Sequence, residues 1–210
     1  MAAPQKFLSG NPPTTPPKTP QGRNRVRIIG GAWRSRMLEF PDAQGLRPTA
    51  DRVRETLFNW LGQTLTDYRC LDLFAGSGAL GFEAASRGAE WVVMVENNRI
   101  AIEILKKNQA LLTSVQCEIV QADALSFIKN TPQIFNIIFV DPPFASDFLP
   151  EVLPKLTRCL AANGLVYAEW HRPLAEVIAG TEWTIVREGR AGRAFFALLS
   201  AKAIPTEAKP

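Results

Sequence analysis

Short apolar runs alternate with segments of helical periodicity along the middle of this 210-residue chain. The apolar runs, which are strand candidates, are Cys70–Phe74, Trp91–Glu96, Glu118–Gln121, Phe135–Val140 and Leu165–Trp170. The helix candidates between them are Ala79–Arg87, Arg99–Leu111, Leu125–Lys129 and Phe148–Cys159. Because strands that alternate with helices are joined by crossovers, this order predicts an α/β fold with a largely parallel sheet covered on both faces.

Smaller elements flank this series at both ends. Residues 184–188 and 194–199 face each other across a Gly/Arg-rich segment, which predicts a hairpin added to the sheet edge. Residues 25–40 alternate around Gly30 and Gly31, which predicts a β-hairpin with arginines on its exposed face. A helix with Thr49 as its N-cap is expected to follow and to end at Gly62.

These patterns divide the chain into four parts. We expect a disordered Pro-rich tail over 1–24, a basic hairpin and helix over 25–62, the main α/β domain over 63–200, and a flexible tail over 201–210.

Positive charge is concentrated near the N-terminus. Residues 1–54 contain ten Lys and Arg against three acidic residues, a net charge of +7, whereas the remaining residues carry a net charge of −3. Such segregation predicts a polyanionic partner, and a solvated basic face is the alternative.

Cysteine usage and hydropathy limit the other function classes. The three cysteines are far apart, no CxxC is present and His171 is the one histidine, so we expect buried reduced thiols and no metal site. No apolar run approaches the roughly 18 residues of a membrane span. The first residues also lack the apolar core of a signal peptide. We therefore expect a cytoplasmic protein.

A glycine-rich loop joins the first main-domain strand to the first helix. Gly76, Gly78 and Gly81 fit the spacing GxGxxG, which lets a ligand approach the backbone and the N–H groups that open a helix. Asp72, at the strand end, suits an ammonium group better than a pyrophosphate. A dinucleotide-binding enzyme and a tight structural turn are the alternatives at this point.

Acidic residues also follow the next two strands. Glu96 ends the second strand, where a carboxylate can bind ribose hydroxyls, and Asp123 follows the third, where it could reach the N6 amine of adenine. Together with the glycine loop, they predict a nucleoside-containing ligand.

The tetrapeptide Asp141-Pro142-Pro143-Phe144 follows a buried strand, at the edge where open α/β sheets bind ligands. Prolines have no N–H group, which leaves carbonyl oxygens in this segment as hydrogen-bond acceptors. A carboxylate and a carbonyl can hold an exocyclic amine, and the phenyl ring can stack on the base that carries it. A rigid turn is the structural alternative.

These motifs resemble those of a known enzyme group. Residues 72–78 resemble the first motif of class I S-adenosylmethionine-dependent methyltransferases, and Asp141–Phe144 resembles the (Asp/Asn)-Pro-Pro-(Tyr/Phe) motif of enzymes that methylate base amines. Arg27–Arg34 and Leu46–Leu61 are similar to the bacterial 16S ribosomal RNA guanine-N2 methyltransferases of the RsmD type. The resemblance covers about Arg25 to Leu199.

The resemblance implies a Rossmann-like seven-stranded sheet, mostly parallel with an antiparallel terminal strand, that binds S-adenosylmethionine. The implied cofactor-binding residues are Asp72, Phe74, Ala75, Gly76, Ser77, Gly78, Glu96, Asn97, Asp123, Ala124 and Asp141. The implied catalytic residues are Asp141, Pro142, Pro143 and Phe144.

The implied reaction is methyl transfer to the N2 amine of a guanine in 16S rRNA, within the 30S subunit or an assembly intermediate, by a monomer that needs no metal. The candidate RNA contacts are Arg25, Arg27, Arg34, Arg36, Arg47, Arg52 and Arg54. The alternatives are a DNA or RNA adenine-N6 methyltransferase, an NAD-dependent oxidoreductase and a non-catalytic RNA-binding module.

Overall fold

The structure is a computed structural model that describes residues 24–40, 50–143 and 147–201. The predicted tails lie outside the described residues except for Asn24 and Ala201. These two residues were wrongly assigned to the tails, because Asn24 pairs with Phe40 and Ala201 pairs with Trp183 in antiparallel strands.

Nine strands and six α-helices are present in the described ranges. The strands are β1 Asn24–Arg27, β2 Met37–Phe40, β3 Arg69–Asp72, β4 Trp91–Glu96, β5 Cys117–Gln121, β6 Phe135–Val140, β7 Leu160–Trp170, β8 Trp183–Ala191 and β9 Ala194–Ala201. The helices are α1 Asp51–Leu61, α2 Ala79–Ser86, α3 Arg99–Leu112, α4 Ala124–Asn130, α5 Phe148–Leu156 and α6 Leu174–Ile178.

The predicted sheet is confirmed. Its seven strands lie in the order β5-β4-β3-β6-β7-β9-β8, and β9 is antiparallel to both of its neighbours while the other pairs are parallel. The two N-terminal strands form a separate antiparallel pair, as predicted. The last strand in the chain is thus inserted beside β7 and does not lie at the sheet edge.

Several element boundaries differ from those predicted. Strand β7 begins at Leu160 and not at Leu165, and the helix predicted to reach Cys159 ends at Leu156 and continues as a single 3-10 turn. The short helix α6 was not predicted. The residue at the N-cap position of α1 is Ala50, whereas Thr49, the predicted cap, lies outside the described residues.

Apolar side chains fill both faces of the sheet. Along β6 they alternate, so that Ile137 and Phe139 join one core cluster and Ile138 and Val140 join the other.

Helices α1, α2 and α3 cover the first face with Leu57, Phe82 and Leu105, together with Val26 and Leu38 of the hairpin. Helices α4, α5 and α6 cover the second face with Ile128, Leu153 and Leu174.

The buried carboxylate of Glu83 joins the hairpin and α1 to α2, the helix on which it lies. One oxygen, Oε2, accepts the Ile29 N–H at 2.8 Å and lies 3.4 Å from Nη1 of Arg54 in α1. The other, Oε1, accepts Nε–H of Arg87 at 2.8 Å. The Glu83 and Arg54 side chains are fully buried, and that of Arg87 nearly so, so this charge is compensated within the protein.

Close backbone contact holds the hairpin against the end of α2. The Ala32 N–H donates to the Ser86 carbonyl at 2.7 Å, and the Ser86 hydroxyl donates to the Gly30 carbonyl at 2.6 Å. Gly31 has a φ of +72°, and a Cβ there would collide with the Ser86 carbonyl. A glycine is therefore required at this turn for both conformation and space.

We expect Glu83→Gln to destabilise the protein, because the neutral amide leaves the buried guanidinium of Arg87 without its acidic partner and leaves that of Arg54 with Asp51 alone. The free energy of unfolding, measured by urea denaturation, should fall by about 3–5 kcal/mol. Glu103→Gln, on the exposed face of α3, should change it by less than about 0.5 kcal/mol. Equal stability of the two variants would contradict a structural role for Glu83.

Candidate active site

Four carboxylates occur where neighbouring strands of the sheet end. Asp72 ends β3, Glu96 ends β4, Asp141 follows β6, and Glu169 is the second-last residue of β7. We call these four residues the acidic edge. Strand alternation places all four on the face that α1, α2 and α3 cover.

The glycine loop lies directly against this edge. Gly76 and Gly78 have φ values of +49° and +75°, and the Gly78 N–H closes a tight turn on the Ala75 carbonyl at 2.6 Å. A Cβ at Gly78 would lie 2.6 Å from the Phe82 ring and 2.7 Å from Leu105. The loop therefore brings bare backbone to the start of α2, as the glycine spacing predicted.

Glu96 is held by backbone donors on both of its oxygens. Oε2 accepts the Gly76 N–H at 2.9 Å, and Oε1 accepts the N–H groups of Asn97 at 2.9 Å and Asn98 at 2.8 Å. A carboxylate has about four acceptor positions, so about one remains for a ligand hydroxyl. A diol that donates two hydrogen bonds would need one backbone bond to open.

Asp72 is buried behind the loop. Its Oδ2 accepts the Gly81 N–H at 2.9 Å, and its exposed fraction is 2%. Burial raises the pKa of Asp72 to about 7; the Gly81 bond lowers it, and the nearby charges of Asp141 and Glu96 raise it further. A cation bound at this edge would favour the ionised carboxylate.

Glu169 was missed by the sequence-based prediction. The signal for it is an acid inside the apolar run of β7, next to Tyr167 and Trp170. Burial raises the pKa of Glu169 to about 8, and the charge of Asp141 adds to this rise, while a hydrogen bond from Tyr167 opposes it. The charges of Asp141 and Glu169, at the ends of neighbouring strands, therefore act on each other.

The remaining predicted ligand-binding residues lie along the same edge. Asp123 is exposed and caps α4, with Oδ1 accepting the Ser126 N–H at 2.9 Å. Phe74 lies 5.9 Å from Phe148 between ring centroids. Ala75, Ser77 and Ala124 are buried, and Asn97 is exposed.

The proline motif is described only in part. Pro142 is buried, Pro143 is exposed and Asp141 is half-buried at the end of β6. Phe144, the predicted stacking residue, lies outside the described residues.

Most of the predicted RNA-contacting arginines are exposed. These are Arg25, Arg27, Arg34, Arg36 and Arg52, whereas Arg47 lies outside the described residues. Arg25 lies 3.6 Å from Glu39, and Arg27 lies 3.6 Å from Asp51. Arg36 donates to the Leu111 carbonyl at 3.1 Å. The side chains of Arg34 and Arg52 have no polar partner among the described residues.

The prediction that Arg54 contacts RNA is wrong. Its side chain is fully buried, and besides Glu83 its guanidinium donates to Asp51 at 2.6 Å and to the Arg27 carbonyl at 2.7 Å. A guanidinium enclosed in this way cannot reach a phosphate, so Arg54 stabilises the fold.

The three cysteines are buried free thiols, as predicted. Within the described ranges, no group of three or more His, Cys, Asp or Glu side chains is arranged to hold a metal ion. None of the helices in the described part of the chain is both long and apolar enough to cross a membrane.

The strand order, the inserted antiparallel strand and the glycine loop at the acidic edge define the class I methyltransferase fold. The family model described as "Conserved hypothetical protein 95" matches residues 26–200, so the chain belongs to this family.

Several named proteins are similar in sequence to this chain. The chain is 44% identical over 186 residues to Ribosomal RNA small subunit methyltransferase D of Escherichia coli K12, covering 87% of this chain and 93% of that protein. It is 41% identical over 182 residues to the protein of the same name from Haemophilus influenzae, covering 83% and 93%. The solved structure of the Escherichia coli protein yhhF has a TM-score of 0.76 at 40% identity, covering 86% of this chain and 99% of that one.

Asp72→Asn should change how stability depends on pH. The folded-state pKa of about 7 lies above the ordinary value of 3.8, so the folded protein binds more protons than the unfolded chain between these values. The stability that protonated Asp72 contributes is present below about pH 4 and is lost as the pH rises to about 7.

Urea denaturation of the ligand-free protein at several pH values tests this. The stability difference between wild type and Asp72→Asn should change by up to about 4 kcal/mol between pH 4 and pH 7, with the wild type losing more. The exposed Asp67→Asn is the control and should follow the wild type. Parallel curves for wild type and Asp72→Asn would rule out the buried acid as the source.

Proposed function

We propose that this protein transfers the methyl group of S-adenosylmethionine to the exocyclic N2 amine of a guanine in 16S ribosomal RNA of the small subunit. The observation that carries the proposal is the Asp141-Pro142-Pro143 segment at the end of β6, beside a glycine loop that follows the adjacent strand β3. The relatives named as small-subunit rRNA methyltransferases support the substrate class.

The residues of the acidic edge fit a nucleoside with a cationic tail. The sulfonium methyl group of S-adenosylmethionine is a strong electrophile and needs no metal. The glycine loop offers backbone without side chains, and Glu96 has acceptor capacity for a ribose hydroxyl. Asp123 follows the next strand, β5, and would accept a hydrogen bond from the adenine amine. A bound cation would lower the raised pKa of Asp72 and so favour its ionised form. The other proposed cofactor contacts are Phe74, Ala75, Ser77, Asn97, Ala124 and Asp141.

Asp141 and the proline segment position the amine. The guanine N2 lone pair is delocalised into the ring, which makes the amine a poor nucleophile. Asp141 accepts one N2–H hydrogen bond and a carbonyl of the segment accepts the other, which favours a tetrahedral nitrogen whose lone pair can attack the methyl group. The N–CH3 bond would form as the S–CH3 bond breaks, S-adenosylhomocysteine would leave, and the methylated amine would lose one proton to Asp141 or to water. The enzyme's contribution is therefore mainly orientation, and Phe144 stacks on a base that has left the helix.

The hairpin and α1 form the RNA-facing part of the protein. Their exposed arginines contact phosphates, which positions the RNA without reading its sequence. Arg34 and Arg52 are the strongest candidates, because their guanidinium groups have no polar partner among the described residues.

Adenine-N6 methylation and nicotinamide-dependent redox chemistry are the competing functions. The first shares the proline motif and the attack by an amine, and it is separated by mapping the product. The second uses the glycine loop and Glu96 but leaves the proline motif and the basic hairpin without a role. The relatives' names favour a methyltransferase.

The direct test uses tritium-labelled S-adenosylmethionine with 30S particles and free 16S rRNA from cells that lack the gene. The labelled nucleoside is expected to be N2-methylguanosine in one of these substrates. Labelled N6-methyladenosine would overturn the guanine assignment, and transfer to neither RNA would overturn the proposed function.

Asp141→Ala should lower kcat by roughly 10²- to 10⁴-fold, since it removes an acceptor that orients the reacting amine. Binding of S-adenosylhomocysteine, measured by calorimetry, should weaken far less than kcat falls, because Asp141 is only one of the proposed cofactor contacts. Asp141→Asn keeps an acceptor oxygen and should retain more activity than the alanine variant. Wild-type turnover by Asp141→Ala would contradict the proposed role of Asp141.

Gly78→Val should instead abolish cofactor binding, because the valine side chain would meet Phe82 and Leu105.

Arg34→Gln and Arg52→Gln should weaken RNA binding and its dependence on salt. Each phosphate contact that is lost should reduce the slope of log affinity against log salt by about 0.7–0.9. Filter binding between low and moderate salt measures this slope. Lys155→Gln, on α5 at the opposite face of the sheet, should leave it unchanged. Equal slopes for all variants would remove these arginines from the RNA interface.

A further inference from the structure

The carboxylate of Glu169 is fixed by a neighbour on its own strand. The hydroxyl of Tyr167 donates to Oε2 of Glu169 at 2.9 Å. Tyr167 is fully buried, and burial raises its pKa well above the ordinary value, so the hydroxyl remains a donor. One oxygen of Glu169 is thus occupied, and the other is left for a further partner. No Lys or Arg of the described residues lies within ion-pair distance of Glu169.

Strand register places Glu169 beside Asp141. Val140 of β6 pairs with Ala168 of β7, and one further step along both chains brings Asp141 next to Glu169. Their proximity is also seen in the charge of Asp141, which raises the pKa of Glu169. Neighbouring strands lie about 4.7–4.9 Å apart. Since Phe139 and Tyr167 share the first core cluster, the side chains two residues later lie on that same face.

An aromatic surface borders Glu169 on its other side. Phe196 of β9 pairs with Glu169, and its ring lies 5.4 Å from that of Trp60 in α1. When it is ionised, the Glu169 carboxylate has no Lys or Arg ion-pair partner among the described residues, and the Phe196 and Trp60 rings carry no charge. Tyr167 and Asp141 are the titratable groups that act on it. A pair of adjacent acceptors of this kind is suited to a ligand with two adjacent donors.

Guanine and adenine differ in this respect. The Watson–Crick edge of guanine presents the N1–H and N2–H donors side by side, whereas adenine presents an acceptor, N1, beside its N6 amine. When both carboxylates are ionised, which for Glu169 requires a pH near or above its pKa of about 8, they match the guanine edge and repel the adenine N1 lone pair. If the second acid were protonated, it would instead donate to adenine N1.

We propose that Glu169 accepts the N1–H of the target guanine while Asp141 accepts from its N2 amine, so that Glu169 selects guanine over adenine. This proposal rests on the proposed function and adds a specificity-determining residue to it. Tyr167 is a positioning residue, because it holds the Glu169 carboxylate in place.

The test compares guanine with 2-aminopurine, which keeps the 2-amine but has an unprotonated N1. Synthetic RNA carrying either base at the mapped target position is reconstituted into 30S particles, and methyl transfer gives kcat/KM for each base. Wild type should prefer guanine. Glu169→Gln should lower kcat/KM for guanine by roughly 10- to 100-fold, and the preference should collapse, because an amide N–H can donate to N1 of 2-aminopurine.

Controls separate folding, function and specificity. Glu176→Gln, exposed on α6, should keep wild-type kcat/KM for both bases. Calorimetry with S-adenosylhomocysteine should show that Glu169→Gln binds the cofactor product as wild type does. Glu169→Asp keeps an ionised acceptor and should retain the guanine preference at lower kcat/KM. If Glu169→Gln does not fold, Glu169→Asp becomes the decisive comparison. Loss of the guanine preference in Glu169→Asp would then count against the proposal.

The pH profile provides a second readout. Because Tyr167 donates to Oε2, a proton on Glu169 would lie on Oε1 and turn that oxygen into a donor. The kcat/KM for guanine should therefore rise with pH up to about 8 in wild type, and this limb should be absent in Glu169→Gln. A guanine preference and pH profile that are unchanged in Glu169→Gln would overturn the proposal while leaving the proposed function intact. Failure of wild type to methylate guanine would overturn the proposed function itself.

Discussion

The rest of the structure depends on the buried carboxylate of Glu83. It receives hydrogen bonds or ion pairs from α1, from the hairpin backbone and from its own helix. A charge withdrawn from water is tolerated only when such partners surround it. Since these partners come from residues far apart in the sequence, the carboxylate can be satisfied only when the N-terminal segment is docked. Docking and the folding of α2 are thus linked.

This link extends to the ligand edge. Helix α2 begins directly after Gly78, so the contacts that hold the helix also fix the glycine loop. The loop in turn holds Glu96 through the Gly76 N–H, and the first turn of α2 holds Asp72 through the Gly81 N–H. The proposed basic surface for RNA and the proposed nucleoside site are therefore connected through one helix, with Glu83 near its end and glycines at its start.

Much of the fold and part of the site could be predicted from sequence. Strands β3, β4 and β6 are short, largely apolar runs with an acid at or directly after their C-terminal end, and local composition alone reveals them. Arg54 could not be placed, because a basic residue in a basic segment resembles its exposed neighbours and its buried acidic partner, Glu83, lies 29 positions away. Glu169 was missed because its significance depends on the register between β6 and β7. The motifs report local chemistry, whereas these two residues depend on long-range pairing.

The position of β9 has a consequence for how the chain matures during synthesis. Strand β7 pairs with β6 on one side, but its other side remains an open edge until residues 194–201 have left the ribosome. An unpaired apolar edge invites pairing with other chains. Phe196, which borders Glu169, arrives with the same strand, so the nascent protein completes its sheet and its proposed base-reading pocket in one step. Premature termination before β9 would yield a chain with both an aggregation-prone edge and an unfinished pocket.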